Sequence, residues 1–162
     1  MTSDRIESRD GIIAYLDEGE VYSCNVHWLG REIKIRLYSS EDTVEAVIET
    51  IKKAFDSFWA NRDNYLKMFQ SDIIDTLLPF FSENNSPDKY LPYPNITEDD
   101  FYADYWLSEV YIGTGDLGND MQVTFSSENG EDMLCVHRDL DNGTILDFFD
   151  GGNVIYPDAM GL

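Results

Sequence analysis

The stretch from Ser39 to Phe81 constrains the fold most, because its apolar residues recur at the spacing of two consecutive α-helices. Apolar residues at i, i+3, i+4 and i+7 lie on one face of a helix. Ser39 or Ser40 is expected to cap the first helix, and Pro79 is expected to end the second. The residues that carry the two patterns are Val44, Val47, Ile48, Ile51, Phe55 and Phe58, then Leu66, Phe69, Ile73 and Leu77.

Strand patterns lie on both sides of this helical stretch, with Gly, Asp and Asn clusters between them. A short acidic helix is expected from Glu98 to Tyr105, with Thr97 and Asp100 as its capping pair. The order of elements predicts an α+β domain, in which a mostly antiparallel sheet has a central helical pair packed on one face. The expected strands are residues 11–17, 21–29, 32–38, 106–112, 121–126, 133–138 and 144–149.

The length of 162 residues fits a single domain over 1–162, with 1–10 loosely held and roughly 151–162 forming either a final strand or a loose tail. No apolar run reaches the about 18 residues of a transmembrane helix. The N-terminus lacks the apolar segment of a signal peptide, so we expect a cytoplasmic protein. In that compartment Cys24 and Cys135 are expected to be buried free thiols.

Charge is the most unusual compositional feature, with 32 acidic against 11 basic residues and a formal net charge of −21. Residues 98–162 hold 15 acids and a single base, Arg138. A field of this sign repels nucleic acid and anionic membranes and attracts basic proteins. The alternative, that the charge serves solubility alone, stays open.

Two candidate binding surfaces follow. Tyr90 and Tyr93 lie in a proline-rich loop and offer aromatic anchors of the kind enriched at protein interfaces. The second surface is acidic, and several of its members could converge because hairpin turns gather at the ends of a sheet. Its members are Glu98, Asp99, Asp100 and Asp104 of the short helix, and Asp116, Asp120, Glu131 and Asp132 of the turns.

Several motif resemblances are better explained as turns. Gly30-Arg31 is expected to form a hairpin turn. Gly113, Gly115 and Gly118 match a dinucleotide-binding pattern, but a strand follows them where a phosphate-binding loop needs a helix. The Asp139–Gly143 segment resembles part of a calcium loop but has the Asp-Asn-Gly composition of a hairpin turn. We expect no metal and no cofactor.

A catalytic or ligand-binding alternative centres on His137. Cys135, His137 and Asp139 share one face of a strand, so they could form part of a single site. This arrangement would suit a hydrolase or a small-ligand-binding protein.

The layout from Val21 to Gly143 resembles uncharacterised bacterial domain families that occur near polymorphic toxin loci and are regarded as immunity proteins. The resemblance implies an α+β fold and no established enzymatic activity, and it identifies no cognate toxin. Val136 stands where these families tend to have glycine before the histidine. The matching segments are Trp28-Leu29-Gly30, Ile33–Leu37, Phe58–Asn61, Thr97–Phe101, Met133–His137 and the turn ending at Gly143.

From charge and resemblance together, we expect a non-enzymatic acidic binding protein, specifically an immunity-type inhibitor of a basic toxin. Its partner would be a basic protein, with no direct contact to nucleic acid or membrane. The sequence leaves the oligomeric state open.

Overall fold

One sheet dominates the computed structural model, which describes residues 4–84, 93–128, 132–151 and 153–162. Within these ranges nine strands pair in the order in which they occur along the chain. All neighbouring pairs of described strands are antiparallel except β4 and β5. The fold is therefore α+β with a mostly antiparallel sheet, as predicted. The strands are β1 (Arg5–Glu7), β2 (Ile13–Leu16), β3 (Tyr22–Trp28), β4 (Arg31–Ser39), β5 (Tyr105–Thr114), β6 (Asp120–Ser127), β7 (Met133–Asp139), β8 (Ile145–Asp150) and β9 (Asn153–Ile155).

The connection from β4 to β5 carries the helices, because two parallel neighbours need a crossover rather than a tight turn. A π-helical turn, Ile73–Leu77, joins the second helix to the third without a break in the helical chain. Single 3₁₀ turns occur at Glu18–Glu20 and Pro157–Met160. The α-helices are α1 (Val44–Ala60), α2 (Arg62–Asp72), α3 (Leu78–Asn84) and α4 (Glu98–Asp104).

The N-terminal cap of α1 is Thr43, whose side chain accepts a hydrogen bond from the Ala46 N–H at 3.2 Å. The prediction that Ser39 or Ser40 caps this helix was wrong, because β4 continues through Ser39. The Ser40 N–H donates to the carbonyl of Thr114 at 2.9 Å and so joins the ends of β4 and β5. The pairing of the two strands thus delays the start of the helix by several residues.

Pro79 does not end the second helical segment, contrary to the prediction, since α3 continues to Asn84. Proline normally breaks an α-helix because it lacks an N–H and its ring meets the carbonyl four residues earlier. The π turn directly precedes it, and the Leu78 N–H bonds to Ile73, five residues back. We attribute the tolerance of Pro79 to this wider turn, which changes the position of the preceding carbonyls.

Alternate residues of β3 and β4 are buried, whereas β6 and β7 also bury consecutive residues, and the sheet has a core face and an outer face. Ile33, Ile35 and Leu37 of β4 are at most 1% exposed and belong to one apolar cluster with Phe55 and Phe58 of α1. The outer face carries a polar row in direct register across five strands. This outer row is Arg36, Tyr111, Gln122, His137 and Asp147.

Turns and chain ends differ from the predictions in detail. The first long hairpin turns at Leu29-Gly30, with φ values of 58° and 74°, and Arg31 already belongs to β4. Two consecutive positive φ values match the twist of antiparallel strands, which fixes the turn one residue earlier than expected. Residues 5–7, expected to be loosely held, and residues 153–155, for which either a final strand or a loose tail was expected, form the two edge strands of the sheet. Ile6 and Ile155 are buried there.

Candidate functional site

The predicted acidic residues divide between the two ends of the sheet. Successive antiparallel strands turn at alternate ends, so the β5–β6 and β7–β8 turns share one end and the β6–β7 turn lies at the other. Strand β5 has ten residues, and about 30 Å therefore separates its ends. Asp116 and Asp120 lie at one end, and Asp104 and Asp132 at the other. Glu131 lies outside the described residues.

At the second end, the phenol of Tyr105 lies within the electrostatic influence of three carboxylates. Burial raises the pKa of Tyr105 to about 12, with further contributions from Asp132, Asp150 and Asp104. Burial and the nearby Asp132 also raise the pKa of Asp150 above its usual value. Asp104 and Asp132 both act on the phenol of Tyr105, as does Asp150, which the sequence analysis did not single out.

At the first end, the acidic side chains also organise the turns. Asp141 accepts hydrogen bonds from both the backbone N–H and the side-chain amide of Asn119, at 2.9 and 2.8 Å. These bonds lower the pKa of Asp141. Asp139 accepts from the N–H groups of Asp141 and Asn142 within its own turn. Asp116 is exposed in the β5–β6 turn.

Helix α4 uses one of its predicted binding residues for its own stability. Thr97 and Asp100 form the predicted capping box, in which each side chain accepts from the other residue's backbone N–H. These hydrogen bonds lower the pKa of Asp100. Asp99 and Asp104 are exposed on the same short helix. Of the three, Asp99 and Asp104 keep their carboxylates available to a partner.

The aromatic loop is described only in part. Tyr90 lies outside the described residues. Tyr93 is half-buried and packs on Phe80 and Phe81, with ring centroids 5.2 Å away in each case. The Tyr93 ring therefore packs against α3 and does not protrude as an anchor for a partner.

His137 lies on the outer face between two carboxylates. Its Nε2 is 2.6 Å from Oδ2 of Asp120, and its Nδ1 is 3.3 Å from Oδ2 of Asp147. The bond to Asp120 raises the pKa of His137 most, burial opposes this, and Asp147 adds to the increase. The second oxygen of Asp147 is buried and has no hydrogen-bond partner among the described residues.

Cys135 and Asp139, which were predicted to share a site with His137, make other contacts. Cys135 is buried beside the hydroxyl of Thr124 at 3.3 Å, and burial raises the pKa of its thiol. Cys24, the other cysteine, is also a buried free thiol, as expected. Sequence reasoning missed Asp147, because only the register of β7 against β8 places it opposite His137. Asp120 was singled out for its charge, not for this contact.

These contacts do not favour a hydrolase. A general base needs a ring nitrogen that is free to face a substrate, and the contact with Asp120 raises the pKa of His137 above its ordinary value. Both ring nitrogens already face carboxylates, and the nearby thiol is buried with its pKa raised. No group of three or more His, Cys, Asp or Glu side chains in the described part of the chain is placed to hold a metal ion.

The single base of the C-terminal region is engaged within the protein. Arg138 donates from Nε and Nη2 to the two carboxylate oxygens of Asp72, each at 2.6 Å, and from Nη1 to the carbonyl of Gly143 at 2.8 Å. Asp72 is buried near the end of α2. Because this guanidinium is already paired, it does not offset the acidic residues of strands β5–β9.

Among the described helices, none combines the length and hydrophobicity required to span a bilayer. No protein-family model matches the chain, and neither a curated protein nor a solved structure matches it. The resemblance to uncharacterised bacterial domain families therefore stays a prediction.

Proposed function

We propose that this chain is a non-enzymatic acidic binding protein that binds a basic protein through its C-terminal half. The observation that carries the proposal is the pairing of Arg138 with Asp72. Residues 98–162 hold 15 acids, and their one base faces an internal carboxylate instead of the partner. A surface of one charge sign raises the local concentration of a partner of opposite sign and speeds its association.

The two ends of the sheet define the contact. Asp116 lies at one end and Asp99, Asp104 and Asp132 lie on α4 and the opposite end, all of them exposed. In this proposal the central helical pair covers one face of the sheet and leaves the outer face and strand ends to the partner. A basic protein that spans both ends would contact charges about 30 Å apart.

The specific form of the proposal is an immunity-type inhibitor of a basic toxin, acting in the cytoplasm. Toxins that act on nucleic acid need a basic active site, and an acidic protein would occlude such a site. Rim carboxylates would govern the association rate, while close contacts at the centre would govern dissociation. The same negative field disfavours direct binding to nucleic acid and to anionic membranes.

Affinity capture from the producing organism tests the proposal, using the tagged full chain at low and at high salt. We expect a basic protein, encoded near this chain, to be retained at low salt and lost at high salt. Its association rate should fall steeply as salt increases. A rate that stays flat up to about 0.5 M salt would contradict electrostatic steering, and the absence of any basic partner at low salt would contradict the proposed function.

Two charge-reversed variants localise the contact. The first carries Asp99→Lys, Asp116→Lys and Asp132→Lys, and the second carries Glu45→Lys, Glu49→Lys and Asp63→Lys in the helical region. All six side chains are exposed, and both variants change the net charge equally. We expect the first variant to lose the partner and the second to retain it. Equal losses would show that global charge, not the C-terminal surface, governs binding.

A further inference from the structure

A cleft of about 450 Å³ lies between α1 and one end of strands β5–β7. His137 does not line this cleft. Its volume falls within the about 300–1,000 Å³ of typical small-molecule sites. Strands β4 and β5, the parallel pair, both end beside it, since Glu41 lies two residues after β4 and Thr114 is the last residue of β5. Crevices at the carboxyl ends of parallel strands are a common location for ligands, because the connecting segments separate there.

The floor of the cleft is apolar and partly aromatic. Phe58 and Tyr65 come from the helices, and Ile112, Met121 and Leu140 come from the sheet and the turn after β7. Phe58 and Tyr65 stack with ring centroids 5.7 Å apart. Phe58, Ile112 and Met121 are at most 3% exposed, so the half-buried Tyr65 and Leu140 present most of the apolar surface of the floor. An aromatic ring beside an aliphatic side chain favours a flat apolar group.

The rim on the strand side is held by hydrogen bonds that do not depend on a ligand. Ser40 Oγ accepts from the Leu117 N–H at 3.1 Å, and Asn119 donates twice to Asp141. Gly115 has a φ of 118°, and a Cβ there would lie 2.7 Å from the backbone nitrogen of Ser40. Because these hydrogen bonds already hold the segments in place, binding of a ligand would cost little conformational entropy.

The charges around the cleft select the sign of the ligand. Glu41 and Asp141 line it with carboxylates, and Lys53 is the single ammonium among the lining residues of this cleft. The protein as a whole carries −21, which adds to the preference for a positive ligand. Anions such as nucleotides and other phosphates are disfavoured for the same reason.

We propose that this cleft binds a small organic amine with a flat apolar body. The body would lie against Tyr65 and Leu140, and the protonated nitrogen would face the carboxylate of Glu41. The cleft lies at the same end of the sheet as Asp116, but this proposal does not rest on the binding of a basic protein, and its test requires no protein partner.

Three indoles of the same body and different charge test the proposal on the full chain. They are tryptamine, which is cationic, tryptophol, which is neutral, and indole-3-acetate, which is anionic. Titration calorimetry and saturation-transfer NMR should rank their affinities in that order, with tryptamine at least about tenfold tighter than indole-3-acetate. Equal affinities, a preference for the anion, or no binding by any of the three would overturn the proposal.

Two tryptophan substitutions on α1 distinguish the cleft from general attraction to an acidic surface. Ser57→Trp fills the cleft, whereas Lys52→Trp introduces the same side chain at an exposed position that does not line it. We expect tryptamine binding to fall at least about tenfold in the first variant and to persist in the second. Similar affinities in the two variants would contradict the assigned location.

Glu41→Gln provides a second readout that does not alter the shape of the cleft. It should weaken tryptamine and leave tryptophol unchanged, because only the charged nitrogen loses a partner. Equal effects on the two ligands would contradict the role given to Glu41. This variant also keeps the proposal testable if Ser57→Trp fails to fold, which the thermal unfolding of each variant will show.

Discussion

At the scale of single residues, Gly113 decides whether His137 keeps its strongest partner. A Cβ built on Gly113 would overlap Oδ1 of Asp120, which is the residue directly across the ladder. The second oxygen of that carboxylate lies 2.6 Å from Nε2 of His137. The absence of a side chain at one position therefore leaves room for the carboxylate that holds the histidine.

We expect Asp120→Asn to lower the pKa of His137, because the contact with Asp120 is the main cause of its increase. A histidine whose folded pKa lies above the unfolded value of 6.5 stabilises the fold fully below that value. This stabilisation is lost as the pH rises through the folded pKa. NMR titration of the imidazole signals measures the shift directly, and urea unfolding at several pH values measures its effect on stability.

Asp116→Asn is the matched control, since it removes one exposed carboxylate from the adjacent turn. His27→Gln removes the other histidine and so assigns the imidazole signals. An unchanged titration of His137 in the Asp120→Asn protein would contradict the contact.

At the scale of elements, the ion pair between Arg138 and Asp72 connects β7 to the end of α2. The two side chains are only 17% and 8% exposed, so each charge is stabilised mainly by its partner and little by water. Removing one partner of a buried ion pair leaves an uncompensated charge, which costs far more than an exposed pair contributes. This contact also crosses between the helical connection and the C-terminal strands, which are distant in sequence.

We expect Asp72→Ala to lower the free energy of unfolding by about 3–5 kcal/mol, because a mostly buried guanidinium then lacks a counter-ion. Asp75→Ala removes an exposed carboxylate three residues beyond the end of α2 and should change stability by less than about 0.5 kcal/mol. Urea denaturation measures both. In the double variant Asp72→Ala/Arg138→Met, the loss should be smaller than the sum of the single losses. Additive losses would show that the two residues do not interact.

At the scale of the whole molecule, the net charge of −21 opposes folding, while it favours binding of the proposed basic partner. Carboxylates gather at both ends of the sheet, so the compact state brings like charges together that the unfolded chain separates. A bound basic protein would relieve this repulsion. The surface proposed for binding is thus also a source of instability in the free protein.

We expect sodium chloride to raise the thermal unfolding midpoint, because the screening length falls from about 30 Å at 0.01 M to about 8 Å at 0.15 M. The variant with Asp99→Lys, Asp116→Lys and Asp132→Lys should show a shallower dependence on salt. Potassium chloride should act like sodium chloride if screening, rather than binding of a specific cation, is the cause. A midpoint that does not change with salt would contradict self-repulsion.

Local patterns in the sequence predicted most of the elements. The apolar spacing from Val44 to Phe58 predicted α1, and alternation predicted β3 and β4. The pair Thr97 and Asp100 predicted the cap of α4. Each of these signals joins residues a few positions apart, so the chain needs no distant contact to express it.

Only the tertiary structure decided which residues meet across the sheet. Register placed Asp147 opposite His137, the alternation of turns sent Asp116 and Asp132 to opposite ends, and a π turn carried the helix past Pro79. Such pairings join residues far apart in sequence, and a shift of one residue would exchange the two faces of a strand. The sequence by itself therefore determined the elements and the charge, whereas long-range packing decided where those charges lie.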